Sequence, residues 1–387
     1  MKIEISERLK KLPPYLFVEI DRLKRQAREA GKDVIDLGIG DPDQPTPQFI
    51  IDALHRAAKD PATHRYALDR GSPEFRKAIA DWYERRFGVT LDPESEILPL
   101  IGSKEGIAHA PLAFVDPGDV TLVPDPCYPP YKGGTIFAGG RPYLMPLRES
   151  NSFLPDLKKV PKTVAHKARL IYINYPNNPT AAVADEDFYR RVIAFARRNR
   201  IIVISDLAYS EITYDGCRPR SLLETEGAGE VTIEFHSLSK TFNMTGWRVG
   251  WACGRAELVS ALGRVKENID SGIFTAIQRA GVAALRDEGN FTDKINKLYQ
   301  GRRDALVDGL CSIGWKVRKP KATFYVWCSV PKGYDSLALS QRLLREAALV
   351  VTPGVGFGEN GEGYIRMALT VSSERLREAV GRIRKIL

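Results

Sequence analysis

The chain has 387 residues, 43% of them hydrophobic, which is enough for two domains with sizeable cores and excludes a disordered polymer. Its 57 basic and 48 acidic residues leave a formal charge of +9, but the basic residues fall in scattered pairs such as Arg85-Arg86 and Arg197-Arg198, so nucleic-acid binding is not expected and the excess suits anionic small molecules. The N-terminal MKIEISERLK lacks an apolar export core, no apolar run approaches a membrane span, and the five cysteines show neither a C-x-x-C pair nor an even count, so the expectation is a cytoplasmic protein without membrane, structural metal or disulfides.

Between about residues 97 and 254 short apolar runs alternate with amphipathic segments. The first run, ILPL (97–100), is followed by G-S-K-E-G (102–106). Strand, glycine turn and helix start near Ser103 leave free backbone N–H groups and the positive end of a helix dipole aimed at one spot, which suits an anion. Pro111 predicts a kink or interruption in that helix. The run TLVP (121–124) leads into D-P-C-Y-P-P-Y, and RLIYIN (169–174) ends in N-Y-P-N-N-P-T. Two prolines and two further asparagines there force a tight loop, with Asn178 as a donor and Asn178-Pro179 as a candidate cis peptide. A helix is predicted over 185–199.

IIVIS (201–205) runs into S-D-L-A-Y, which places Asp206 at the carboxyl end of a strand, where open α/β sheets collect ligands. An acid there can hold a pyridine nitrogen protonated, and Tyr209 follows three residues later. After VTIEFHS (231–237) comes S-L-S-K-T-F-N-M-T-G-W-R-V-G, and then GWACG (250–254). Lys240 stands among small hydroxyl residues. A lysine that forms an imine must be unprotonated part of the time, which calls for partial desolvation and nearby cations. Arg248, eight residues on, offers a planar fork for a phosphate, and Ser237 and Ser239 add donors. These runs, several apolar throughout, predict a layered α/β domain with a largely parallel sheet.

The segment 255–286 reads as helical with an interruption at Asp270-Ser271-Gly272. Beyond it the pattern becomes helix (292–311), strands (KVRK, 316–319, and FYVWCSV, 324–330), helix (336–348), strand (YIRMAL, 364–369) and terminal helix (372–387), a smaller α+β unit. The expected division is a large domain over 36–286 and a small one from 1–35 and 287–387.

Lys240 with Arg248, Asp206 with Tyr209, Asn178 before Pro179, Gly102-Ser103-Lys104 and Arg366 in YIRMAL together resemble the class I/II aminotransferases of pyridoxal-phosphate fold type I, over about residues 35–370. The resemblance implies a large domain with a mostly parallel mixed sheet flanked by helices, a smaller α+β domain, pyridoxal 5'-phosphate as cofactor, and amino acids and 2-oxo acids as substrates. It implies that Lys240 is the Schiff-base lysine and proton shuttle, that Asp206 pairs with the ring nitrogen and that Tyr128 stacks on the ring. Asn178 and Tyr209 would contact the ring oxygen, and Ser103, Lys104, Ser237, Ser239 and Arg248 would surround the phosphate. Arg366 would pair with the substrate's α-carboxylate, with Tyr15, Gly40 and Asn178 in the same pocket. Tyr66 would reach the phosphate from a neighbouring subunit, which implies a homodimer with shared sites.

GIGDPDQPTP, GSKEGIAH, YPNNPT, SLSKTFNMTGWRVG and NIDSG are most similar to the LL-diaminopimelate aminotransferases of lysine biosynthesis. In those enzymes Asp69 would meet the distal ammonium of the substrate and Lys104 its carboxylate. Ser271 stands near where they carry an asparagine, a departure at the distal pocket. An aspartate or broad-range aminotransferase, and a carbon–sulfur lyase using the same cofactor, are the alternatives.

Overall fold

Apolar runs become strands covered on both faces, and their alternation with amphipathic segments becomes a sheet between helices. The computed structural model describes residues 3–12, 16–67 and 70–386. β1 (Ile35–Asp36) precedes the central strands, which are β2 (Ile97–Leu100), β3 (Val120–Asp125), β4 (Arg141–Pro146), β5 (Ala168–Asn174), β6 (Ile202–Asp206), β7 (Thr232–Ser237) and β8 (Gly250–Gly254). After them come β9 (Tyr325–Ser329), β10 (Leu349–Val350), β11 (Thr352–Pro353) and β12 (Tyr364–Ala368). β2 to β8 form one sheet in the order β2-β8-β7-β6-β5-β3-β4, parallel except that β8 runs antiparallel to both neighbours. β9, β11 and β12 form a small antiparallel sheet, and β1 pairs in parallel with β10.

Register decides where the chemistry gathers. Leu100 lies opposite Gly250, and Gly250 opposite Ser237, so β2 ends, β8 begins and β7 ends along one edge. Asn174 pairs with Asp206, which brings β5 and β6 to the same edge. The carboxyl ends of the parallel strands therefore open onto a common crevice, the usual ligand position in such sheets.

Three local expectations fail or were missing, each for a physical reason. Of the kink or interruption expected at Pro111 the interruption is absent, since the helix runs unbroken over Ser103–Phe114. Proline withholds the N–H that would bond the Ile107 carbonyl, and the Tyr172 hydroxyl of β5 donates to that oxygen instead, at 3.0 Å. KVRK forms no strand: Lys319 turns to Asp304 and Asp308, and the segment runs into Pro320, which has no N–H for a ladder. Conversely, RPYLMP becomes β4 despite two prolines, because it sits at the sheet edge, where a missing donor breaks no ladder on its outer side.

Candidate active site

At the β2 edge the chain reverses at Gly102 (φ +75°) and enters the helix at Ser103. A Cβ on Gly102 would stand 2.2 Å from Arg248 Nη2, so the backbone turn favours glycine and any side chain here would push the guanidinium aside. Arg248 itself holds a left-handed backbone (φ 52°), and its Nη1 donates to the Thr245 carbonyl at 2.8 Å. Such backbone strain in a non-glycine residue collects at functional sites. The Ser237 hydroxyl accepts the Ser239 N–H at 3.2 Å, fixing the short turn that carries Lys240.

At the opposite end Asp206 is buried, and its Oδ2 accepts from the Tyr131 hydroxyl at 2.7 Å. Burial pushes its carboxyl up to about 6, against the pull of the hydrogen bonds from Tyr131 and Ala208 N–H. Tyr131 is stacked on Tyr172 with ring centroids 4.5 Å apart, and Tyr128 meets Tyr131 edge-on. Asn174 Oδ1 accepts the Asn178 N–H at 2.9 Å, and Asn178–Pro179 is cis, as expected. The Tyr209 and Tyr325 hydroxyls are 3.0 Å apart.

Lys240 Nζ donates to the Gly40 carbonyl at 2.8 Å. Burial brings its ammonium down to about 8, helped by the nearby Arg366 and Arg248 and opposed by Asp41. A Cβ on Gly40 would strike the Tyr325 hydroxyl at 1.9 Å, so only glycine lets backbone and tyrosine meet beside the lysine. Arg366 is 3% exposed and lies over the Tyr325 and Phe357 rings at 4.1 and 4.7 Å. It donates to Asn178 Oδ1 and the Gly38 carbonyl, both at 2.8 Å, and its buried Nε has no partner among the described residues.

One cleft of about 250 Å³ brings together Gly40, Ser103, Lys104, Tyr128, Asn178, Asp206, Tyr209, Ser237, Ser239, Lys240, Arg248 and Arg366. Tyr66 does not line it and is 91% exposed. Tyr15 and Asp69 lie outside the described residues. Sequence reasoning missed Tyr131, although it stands in the same D-P-C-Y-P-P-Y motif as Tyr128. It also missed Tyr325 and Phe357, which no motif marks.

The residues fit pyridoxal phosphate. A dianion would meet a helix N-terminus, hydroxyls and Arg248. A ring N–H would meet a buried carboxylate that has no cationic partner among the described residues, and a carboxylate would meet the unfinished donor set of Arg366. Sheet order and cleft together define a pyridoxal-phosphate enzyme of fold type I. The family model of aminotransferase class I and II matches residues 32–383. The LL-diaminopimelate aminotransferase of Moorella thermoacetica is 55% identical over 382 residues, covering 99% of this chain and 98% of its own length. That of Syntrophobacter fumaroxidans is 57% identical over 381 residues, covering 98% of each chain. Substrate-bound BacF from Bacillus subtilis superposes with a TM-score of 0.96 at 40% identity, covering 100% of this chain and 98% of that one. The chain belongs to the class I and II aminotransferases, enzymes that use pyridoxal phosphate and act on amino acids and 2-oxo acids.

Proposed function

We propose that this enzyme is an LL-diaminopimelate:2-oxoglutarate aminotransferase of lysine biosynthesis. The name carried by full-length relatives above 50% identity supports the substrate. The geometry supports the chemistry through one observation above the rest: Arg366, buried with its Nε unpartnered among the described residues, lines the same cleft as Lys240, whose ammonium burial brings down to about 8.

When bound, pyridoxal phosphate supplies an aldehyde carbon for the amine and a ring that accepts an electron pair. Arg248, Ser103, Lys104, Ser237 and Ser239 hold its phosphate. Asp206 would keep a proton on the ring nitrogen, Asn178 and Tyr209 would hold the ring oxygen, and Tyr128 would stack on the ring. Arg366 grips the α-carboxylate with paired N–H groups, while Gly40, Asn178 and Tyr15 shape that pocket. Lys240 Nζ moves a proton to and from the substrate α-carbon. Asp69 and Lys104 read the distal amino-acid head. The protein works in the cytoplasm as a homodimer in which Tyr66 serves the partner's phosphate. We further propose the division into a large domain (36–286) and a small one (1–35 with 287–387). Ile35 and Leu37 pack in one core with residues 295–383, although this core also takes in Ala208, Tyr209, Ile212 and Tyr214.

The test is a steady-state comparison of LL-diaminopimelate, aspartate, alanine and an aromatic amino acid with 2-oxoglutarate as acceptor. LL-diaminopimelate should have the highest kcat/KM, and Asp69→Ala should lower that value about 30-fold while sparing glutamate, the size expected for one lost buried ionic contact. A wild-type preference for aspartate overturns the substrate and leaves the transaminase intact.

A further inference from the structure

Directly behind the phosphate end of the cleft, three residues that do not line it form a buried ion cluster. Lys266, on the helix Ala256–Glu267, has a side chain only 1% exposed. Its ammonium donates to Glu105 Oε1 and Oε2 at 3.1 and 3.3 Å and to Asp270 Oδ1 at 2.5 Å. Glu105 Oε2 also accepts the Ile101 N–H at 2.6 Å, and Asp270 Oδ1 accepts the Gly272 N–H at 2.8 Å. Asp270 Oδ2 and the Nδ1 of nearby His109 are buried with no partner among the described residues.

The Lys266 ammonium is fully buried and its two carboxylate partners, 11 and 18% exposed, are mostly so, which carries a desolvation cost that an apolar trio would avoid. The position gives the reason. Ile101 is the residue between the end of β2 and Gly102, so the direction of its N–H sets how the chain swings round to present the first-turn N–H groups of Ser103–Phe114. Glu105, in that first turn, reaches back past the cap residue Gly102 to hold this N–H, one residue further than a capping-box glutamate reaches. By itself its negative charge would occupy the positive helix end that a phosphate needs. Lys266, delivered by a different helix, offsets that charge, and Asp270 anchors Lys266 from the other side.

We propose that Glu105 and Lys266 are positioning residues for the cofactor phosphate, Glu105 by fixing the turn at Ile101–Ser103 and Lys266 by offsetting Glu105's charge there. The proposal rests on the reading of that turn as the phosphate site.

Wild type, Glu105→Ala, Glu105→Gln, Lys266→Met and the double variant Glu105→Gln/Lys266→Met are stripped of cofactor and titrated with pyridoxal phosphate by absorbance. The ³¹P chemical shift of the bound phosphate is then recorded for each. Glu105→Ala should lose about tenfold or more in affinity, the scale of one hydrogen bond to a charged group, and should move the phosphorus signal. Glu105→Gln keeps an acceptor for the Ile101 N–H and should recover most of the loss. Lys266→Met leaves the Glu105 charge uncompensated and should bind weakly, and the double variant should bind better than Lys266→Met alone. Unchanged affinity and an unmoved signal in folded Glu105→Ala overturn the proposal. So does a double variant no better than Lys266→Met, and this second comparison decides if Glu105→Ala does not fold. Wild type that binds no cofactor instead overturns the phosphate site itself.

Discussion

Lys240 shows how one side chain is tuned by what surrounds it. Phe324 lies beneath its ammonium at 5.5 Å, the Gly40 carbonyl accepts a hydrogen bond from it, and two guanidiniums share the cleft. Desolvation disfavours the charged form and the arginines push the same way, so the group loses its proton near 8. The sign follows: nitrogen must be unprotonated to attack an aldehyde, so capture of pyridoxal phosphate by the cofactor-free enzyme should speed up as pH rises through about 8 and then level off. Stopped-flow absorbance across pH 6 to 11 measures this. A rate that keeps climbing towards about 10.5, as for a solvated lysine, contradicts the assignment of Lys240 as a desolvated nucleophile.

Elements place such side chains, and the turn between β2 and its following helix is the most constrained of them. In Gly102→Ala the new methyl would meet both a positive φ and the Arg248 guanidinium. The variant should retain less pyridoxal phosphate on dialysis and unfold at lower temperature, by roughly 1 to 3 kcal/mol of backbone strain. Full retention with an unchanged Tm contradicts the tight fit. Features of this kind were legible in sequence because their chemistry is local: a glycine turn, an acid ending an apolar run, a proline-asparagine loop. The remedy for Pro111 was not legible, since the hydroxyl that satisfies Ile107 comes from β5. Nor were Tyr325 and Phe357: Tyr325 reaches Arg366 because β9 pairs with β12 in the small sheet, and Phe357 because the turn Gly354–Phe357 brings its ring to the guanidinium. The ion cluster around Lys266 was partly visible as residues, but nothing in their spacing says that two helices bring them together.

At the scale of the whole molecule, the cleft is assembled across the chain's two main sheets. Asp125, ending β3, accepts from Lys132 at 2.7 Å and from the Asn360 backbone N–H and Nδ2 at 3.0 and 2.6 Å, so it ties the large sheet to the loop that carries Phe357. Tyr66 stands apart from this arrangement. It is 91% exposed. Just before it in the chain, His64 meets the exposed Phe274 ring at 6.4 Å and Asp60 pairs with Arg279, so this segment lies against the start of the helix Thr275–Leu285. Exposed aromatic side chains of this kind suit a partner surface. If Tyr66 completes the phosphate site of a second copy, the defect of Tyr66→Phe must be curable by the neighbour. Hybrid dimers of a Lys240→Ala protomer and a Tyr66→Phe protomer, isolated with two affinity tags, test this. The site with an intact Lys240 lies in the Tyr66→Phe protomer and receives an unmodified Tyr66 from its partner. Under two-fold symmetry the hybrid should therefore bind pyridoxal phosphate at that site with wild-type affinity and show about half the wild-type activity per dimer at limiting cofactor. If Tyr66 acts within its own chain, that site keeps its defect, and the hybrid performs no better than half of a Tyr66→Phe homodimer.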